Sequence, residues 1–214
     1  MTLWLTRITP DPSSAQARSD LAGAGAIHRR LMSLLPPEEL GASPRQAAGL
    51  LFRVEETRRG TSILVQSARE LDPSQLPEGY GRMERRELSP LLDALAAGRP
   101  VRYRIVASPT KRIGRSELRG VKEKTIALRG AEAEDWWRKR AHEHGLEPRS
   151  LISQERPDAT DGSRGRRIRH AAVLFQGVGT VADTEALRAA VERGIGRGKS
   201  HGCGLLSLAP MEVS

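Results

Sequence analysis

Histidine is the side chain best suited to moving a proton near neutrality, and this chain has five: His28, His142, His144, His170 and His201. No pair has metal-ligand spacing with carboxylates in support. The single cysteine, Cys203, rules out a disulfide framework and a cysteine-based zinc site. His142 and His144 fall at the charged end of a helical stretch, where solvated or helix-capping roles fit. His170 sits among arginines and adds to them. His28 is different. It lies in a helical stretch, 15–35, whose apolar stripe is Leu21, Ile27, Leu31, Met32 and Leu35. At about 100° per residue it falls on the edge of that stripe, with Arg29 and Arg30 on the outer side. An imidazole there is either a satisfied boundary residue or a proton-transfer group beside guanidiniums that would meet a phosphate.

The second local signal is glycine. Gly194, Gly196, Gly198, Gly202 and Gly204 place five glycines within the eleven residues 194–204. They free the backbone to approach a ligand closely, or make a tight connection. Arg197 and Lys199 supply charge. Gly194 to Ser200 comes one residue short of the phosphate-loop pattern GxxxxGK[ST], which would imply a nucleotide enzyme. The expected order here is helix, loop, strand, so the near-match also lacks its structural context. Cys203, between two glycines and without a base nearby, reads as buried and not nucleophilic.

Charge has a clear distribution. The net charge is +9, from 35 basic and 26 acidic residues. Thirty of the 35 are arginine, whose planar fork matches phosphate oxygens and base edges. Genomic base composition can favour arginine without function, but here the excess is localised. Arg99 to Arg129 holds ten basic residues against Glu117 and Glu123. Arg164, Arg166, Arg167 and Arg169 form a second cluster. Both favour contacts to a polyanion backbone. Of the seven aromatic residues only Tyr103 interleaves with these arginines, so single-strand stacking platforms are scarce and a duplex or hairpin is the better partner.

Patterning predicts the elements that carry these groups. A strand spans 3–8, a helix 15–35, and strands 50–55 and 62–68 form a hairpin. A loop covers 69–82, a short helix 88–97 and a strand 101–107. After a basic loop the order repeats: strand 125–128, helix 131–144, strand 151–155, polar hairpin 157–166, strand 168–181, helix 184–193 and strand 205–208. This predicts an α+β chain of two tandem ferredoxin-like (βαββαβ) domains, 1–112 and 113–214. No apolar run reaches the roughly 20 residues of a membrane span, and the N-terminus is too polar for a signal peptide. A cytoplasmic protein, with no membrane partner, is expected.

The stretch GIGRGKSHGCGLLSLAP (194–210) resembles the glycine-rich loop and last strand of the CasE (Cse3) family, CRISPR precursor-RNA endoribonucleases of type I-E systems. IHRRLMSLLP (27–36), LLFRVEE (50–56), SILVQSA (62–68), VRYRIVASPTKR (101–112), ISQERP (152–157) and AAVLFQGVGTVAD (171–183) resemble further family segments in the same order. The resemblance implies tandem ferredoxin-like domains and binding of the CRISPR repeat stem-loop. It implies one cut at the 3′ base of the stem, by attack of a 2′-hydroxyl on the adjacent phosphate, without a metal or a nucleotide cofactor. The enzyme would keep its product and join the other subunits of a Cascade complex.

His28 matches the family's catalytic histidine, as acid or base, and Arg29 would stabilise the scissile phosphate. Lys111, Arg112, Arg115, Arg164, Arg166, Arg167, Arg169 and Lys199 would grip the RNA. The loop glycines Gly194, Gly196, Gly202 and Gly204 would shape the site. The sequence departs from some members at two helper positions, where a tyrosine is replaced by Gly25 and a lysine by Ser33. A catalytically weak or inactive RNA-binding subunit of the same complex is the alternative.

Overall fold

The first strand shows why the chain folds as it does. In β1 (Trp4–Pro10), Thr6, Ile8 and Pro10 are buried while Arg7 and Thr9 face out, the period-two pattern of a sheet covered on one face. The structure, a computed structural model, describes residues 2–36, 48–58, 60–113, 124–161 and 168–211. β1 is the centre of the first sheet. It pairs antiparallel with β3 (Gly60–Ser67), which pairs with β2 (Leu51–Thr57), and on its other side with β4 (Gly81–Glu87). The order β2-β3-β1-β4 is that of a ferredoxin-like unit.

The helix predicted over 15–35 is two helices, α1 (Ala15–Leu21) and α2 (Ala24–Ser33). Gly23, with extended backbone, separates them. A glycine inside a helix costs about 1 kcal/mol against alanine, and ending the helix at Gly23 avoids that cost there. The break lets α1 fold back beside α2, where Asp20 of α1 holds Arg30 at 2.8 Å. Ile27, Leu31, Leu34 and Leu35 are then buried with Ile8, Phe52, Ile63 and Val65 of the sheet.

The strand predicted at 101–107 does not close the first sheet. β5 (Pro100–Ala107) is central in a second sheet, between β10 (Ile168–Val181) and β11 (Leu206–Pro210). β4 fills the place expected for it. The pattern hides β4 because GRMERRE is an edge strand whose side chains are nearly all exposed, so no hydrophobic alternation marks it. The expected division at 112/113 therefore cuts into the second unit; the change of sheet falls between Glu87 and Pro100, with only a short helix, α3 (Ser89–Asp93), between them. The predicted strand near 125–128 also has a different role. As β7 (Lys124–Ala127) it pairs with β6 (Thr110–Ile113) in a separate two-stranded ribbon.

The second unit is completed by α4 (Gly130–Glu143), β8 (Leu146–Pro148), β9 (Ile152–Asp161) and α5 (Thr184–Arg193). Its sheet runs β11-β5-β10-β8, with β9 also on β10. Its core centres on Trp137, which stacks on Phe175 at 5.6 Å, with Tyr103, Ile105, Leu187 and Val191 around them. The two sheets are joined by a buried cation. Arg53 of β2, 2% exposed, donates to the carbonyls of Arg104 and Leu205 at 3.2 and 3.1 Å and to Ser207 Oγ at 3.1 Å. Its charge is met by Glu55 at 2.6 Å. Gln66 Nε2 adds a bond to the Val191 carbonyl at 2.7 Å.

Candidate active site

α2 turns His28 toward Phe52 of β2, and the rings stack with centroids 6.4 Å apart and planes 16° from parallel. The imidazole is half-buried. Arg29 beside it is exposed, whereas Arg30 is held by Asp20 and lies over the Tyr80 ring at 5.5 Å. Of the two arginines, Arg29 is the one open to an incoming phosphate. Gly25 is buried in α2, and exposed Ser33 donates its hydroxyl to the Arg30 carbonyl at 2.8 Å. Neither position brings a titrating group.

The glycine loop runs from helix α5 to strand β11. At Gly194 the backbone is at φ 69, ψ 160, a region essentially confined to glycine, and a Cβ there would lie 2.8 Å from the Gly204 carbonyl oxygen. The loop closes on itself through Ile195 N donating to Gly204 O at 3.0 Å. Gly204 N ties it to the Val106 carbonyl of β5 at 2.7 Å. Its 3₁₀ turn, Lys199–His201, lies against α2 and β2. Gly202 is at φ +81, and a Cβ on it would come 3.2 Å from the Phe52 ring. The loop and His28 therefore meet on the same aromatic side chain. Gly196 crosses over Trp136 on the far side of the loop.

A cleft of about 270 Å³ opens between the two sheets, lined by Ile27, Phe52, Arg53, Arg156, Asp158 and His201 among others. His28 stands beside it, since its neighbour Ile27 and its stacking partner Phe52 both form the wall. His201 contacts Ser200 Oγ through Nδ1 at 3.0 Å, and its ring is 4.9 Å from that of His170. Burial, with His201 and Arg197 nearby, holds His170 below the usual histidine range. Cys203 is fully buried, and burial alone pushes its thiol up to about 12, consistent with an inert role. Among the described residues, no three of His, Cys, Asp and Glu gather to hold a metal ion, and no helix is long and apolar enough to cross a membrane.

The basic residues expected to grip RNA divide into four groups. Lys111 and Arg112 are exposed on β6. Arg169 is exposed on β10 and pairs with Asp158, which also holds Arg129 at 2.8 Å. Lys199 donates to the Arg193 carbonyl at 2.6 Å, capping the end of α5. Arg115, Arg164, Arg166 and Arg167 lie outside the described residues. Sequence reasoning did not single out Phe52, Arg156, Asp158 or His201 as parts of the site. Phe52 sits in an apolar run that reads as plain core, and His201 in a segment that reads as backbone shape alone.

Comparison with known proteins fits this arrangement. The profile of the family described as CRISPR associated protein matches residues 3–210. CRISPR-associated endoribonuclease Cse3 of Thermus thermophilus is 33% identical, over 97% of this chain and 100% of its own length. CRISPR system Cascade subunit CasE of Escherichia coli is 34% identical, over 86% of this chain and 91% of its own. The solved structure of Thermus thermophilus Cse3 bound to an RNA representing a pre-cleavage complex matches with a TM-score of 0.81 at 33% identity, covering 98% of this chain and 100% of that one. With a shared fold and a third of its residues in common over nearly the whole length, the chain belongs to the CRISPR-associated proteins, in the company of Cse3 and CasE.

Proposed function

We propose that this chain is an endoribonuclease that binds the stem-loop of a CRISPR repeat, cuts precursor RNA at the 3′ base of the stem without a metal ion, and stays on its product as a subunit of a Cascade-type complex in the cytoplasm. The observation that carries this reading is the placement of a half-buried imidazole, His28, beside an inter-sheet cleft and against a glycine loop, in a relative of named endoribonucleases. The reaction needs two proton movements. A base removes the 2′-hydroxyl proton as that oxygen attacks phosphorus, and an acid protonates the 5′ oxygen as its bond to phosphorus breaks. The products are a cyclic phosphate and a 5′-hydroxyl. An imidazole titrating near neutrality serves either step. Arg29, exposed beside it, would stabilise the extra negative charge on the non-bridging oxygens. Lys111, Arg112, Arg115 and the 164–169 arginines supply phosphate contacts along a hairpin.

The test is cleavage of the labelled repeat hairpin of the same host in EDTA, by the wild type and His28→Ala. A single cut in the wild type, slowed about 10²- to 10⁴-fold in the variant with affinity unchanged, supports the reading. Tight binding without a cut by either protein turns the assignment to the non-catalytic subunit, which Gly25 and Ser33 favour. A cut that persists in His28→Ala moves the active site elsewhere.

A further inference from the structure

The glycine loop has a second side, away from His28. There a recess of about 540 Å³ lies between β5–β6, α4 and the loop. Its charged lining is all basic: Arg112 from β6, Arg140 from α4 and Arg197 from the loop, with no carboxylate among the lining residues. Arg112 and Arg197 have no acidic partner among the described residues. Arg197 instead touches Thr125 Oγ1 at 3.4 Å. Arg140 lies over the Trp136 ring at 5.9 Å and reaches Glu143, outside the recess, at 2.7 Å. Ser108 also lines the recess; it is 1% exposed, and its hydroxyl is buried with no hydrogen-bond partner among the described residues.

A buried hydroxyl without a partner costs about 1–3 kcal/mol, and guanidiniums from three separate elements repel one another. Both penalties are relieved by one ligand: an anion with several acceptor oxygens. A carboxylate offers two oxygens in a plane. A phosphodiester offers two non-bridging oxygens that share its charge and two bridging ones in a tetrahedral spread, which suits donors arriving from a strand, a helix and a loop. The glycine loop lines both this recess, through Gly196 and Arg197, and the cleft where RNA is expected, through His201 and Gly202.

We propose that Arg140, Arg197 and Ser108 form a phosphate site for the backbone of the bound RNA, on the opposite side of the glycine loop from His28. This rests on the RNA-binding reading above. It assigns to the loop two roles: one edge walls the cleft and the other anchors a strand.

The experiment measures the affinity of the full chain for the repeat hairpin across a salt series, with and without single-stranded flanks. The variants are Arg140→Gln/Arg197→Gln, Ser108→Ala and, as a control on the same helix, Arg138→Gln, whose side chain pairs with Glu134 and Asp135 instead of lining the recess. The plot of log affinity against log salt is expected to flatten by about 0.7 to 0.9 in the double arginine variant, from one phosphate no longer neutralised. Ser108→Ala is expected to weaken binding by about two- to tenfold with the slope unchanged, because a neutral donor releases no counterion. A loss seen only with flanked hairpins assigns the phosphate to the single strand, and a loss with both assigns it to the stem. Thermal unfolding of each variant checks the fold.

A slope in the double variant equal to that of the wild type and of Arg138→Gln overturns the proposal. So does saturable binding of inorganic phosphate that the variants abolish while their RNA slope stays unchanged. Failure of the wild type to bind the hairpin at all would overturn the RNA-binding reading itself.

Discussion

Arg53→Met is the sharpest probe of how the two sheets are held together. Methionine keeps the length of the side chain and removes every donor. The wild-type guanidinium is 2% exposed and serves Glu55, two carbonyls and Ser207. Burial pulls its pKa below the usual arginine value and Glu55 acts in the opposite direction. Without it, the Glu55 carboxylate, whose side chain is 17% exposed, is left facing Arg104 at 3.6 Å, and the carbonyls of Arg104 and Leu205 lose this donor. Breaking one side of a buried pair costs about 3–5 kcal/mol. That is a large share of a typical folding free energy of about 5–15 kcal/mol.

Urea unfolding is the assay. The expected result is a midpoint shift of this size with an unchanged slope, the mark of a stability change alone. Adding Glu55→Gln removes the stranded charge and is expected to return about 1–2 kcal/mol. The reasoning fails if Arg53→Met lies within about 1 kcal/mol of wild type, or if the double variant is less stable than the single one.

Three further outcomes follow from the same geometry. Gly194→Ala places a Cβ 2.8 Å from the Gly204 carbonyl in a glycine-only backbone region; a loss of about 2–4 kcal/mol in thermal or urea unfolding is expected, and unchanged stability would show that the loop relaxes freely. Burial, then His201 and Arg197, hold His170 below the histidine value of 6.5, and burial lowers His144 as well. The unfolded chain then binds protons more readily, so stability falls as pH drops through about 6.5 toward the folded values. His170→Asn is expected to weaken the fall in urea midpoint between about pH 7.5 and pH 5.5, and an identical fall counts against the assignment. Finally, the Cys203 thiol, pushed up to about 12, is expected to react with a thiol reagent only as fast as the protein unfolds; labelling of the native chain at the rate of a free cysteine would place it at the surface.

Much of the fold is legible where burial imposes a period. The alternation in β1, the apolar run of 171–181 and the capped start of α5 at Asp183, whose carboxylate accepts from Ala186 N at 3.0 Å, all announce their elements. β4 does not, because an exposed edge strand needs no apolar face, and its loss from the reading drew Val101–Ala107 into the wrong sheet. The site divides in the same way. His28 and the glycines stand out by residue type. Phe52, Arg53 and Ser108 are silent, because their roles come from what a distant strand or loop brings to them. A buried arginine in the run LLFRVEE carries no local sign that its partners lie about 50 and 150 residues away.

β10 has a consequence for how this protein can vary. Its 14 residues span about 46 Å, but pairing with β5 begins only at Val173. Ile168 to Ala172 runs on past the end of β5 with β9 as its strand partner among the described residues, bent by the register shift between His170 and Ala172. Because the inner half is locked into the core through Phe175, this arm works as a cantilever with a graduated scale. Adding one residue to each strand between the bend and the tip would extend its reach by about 3.3 Å and turn every later side chain to the opposite face. Adding two to each would extend it by about 7 Å and keep the faces. Homologous arms should therefore differ in length by even numbers of residues per strand, a spacing rule set by the pleat and independent of whatever sequence the tip carries.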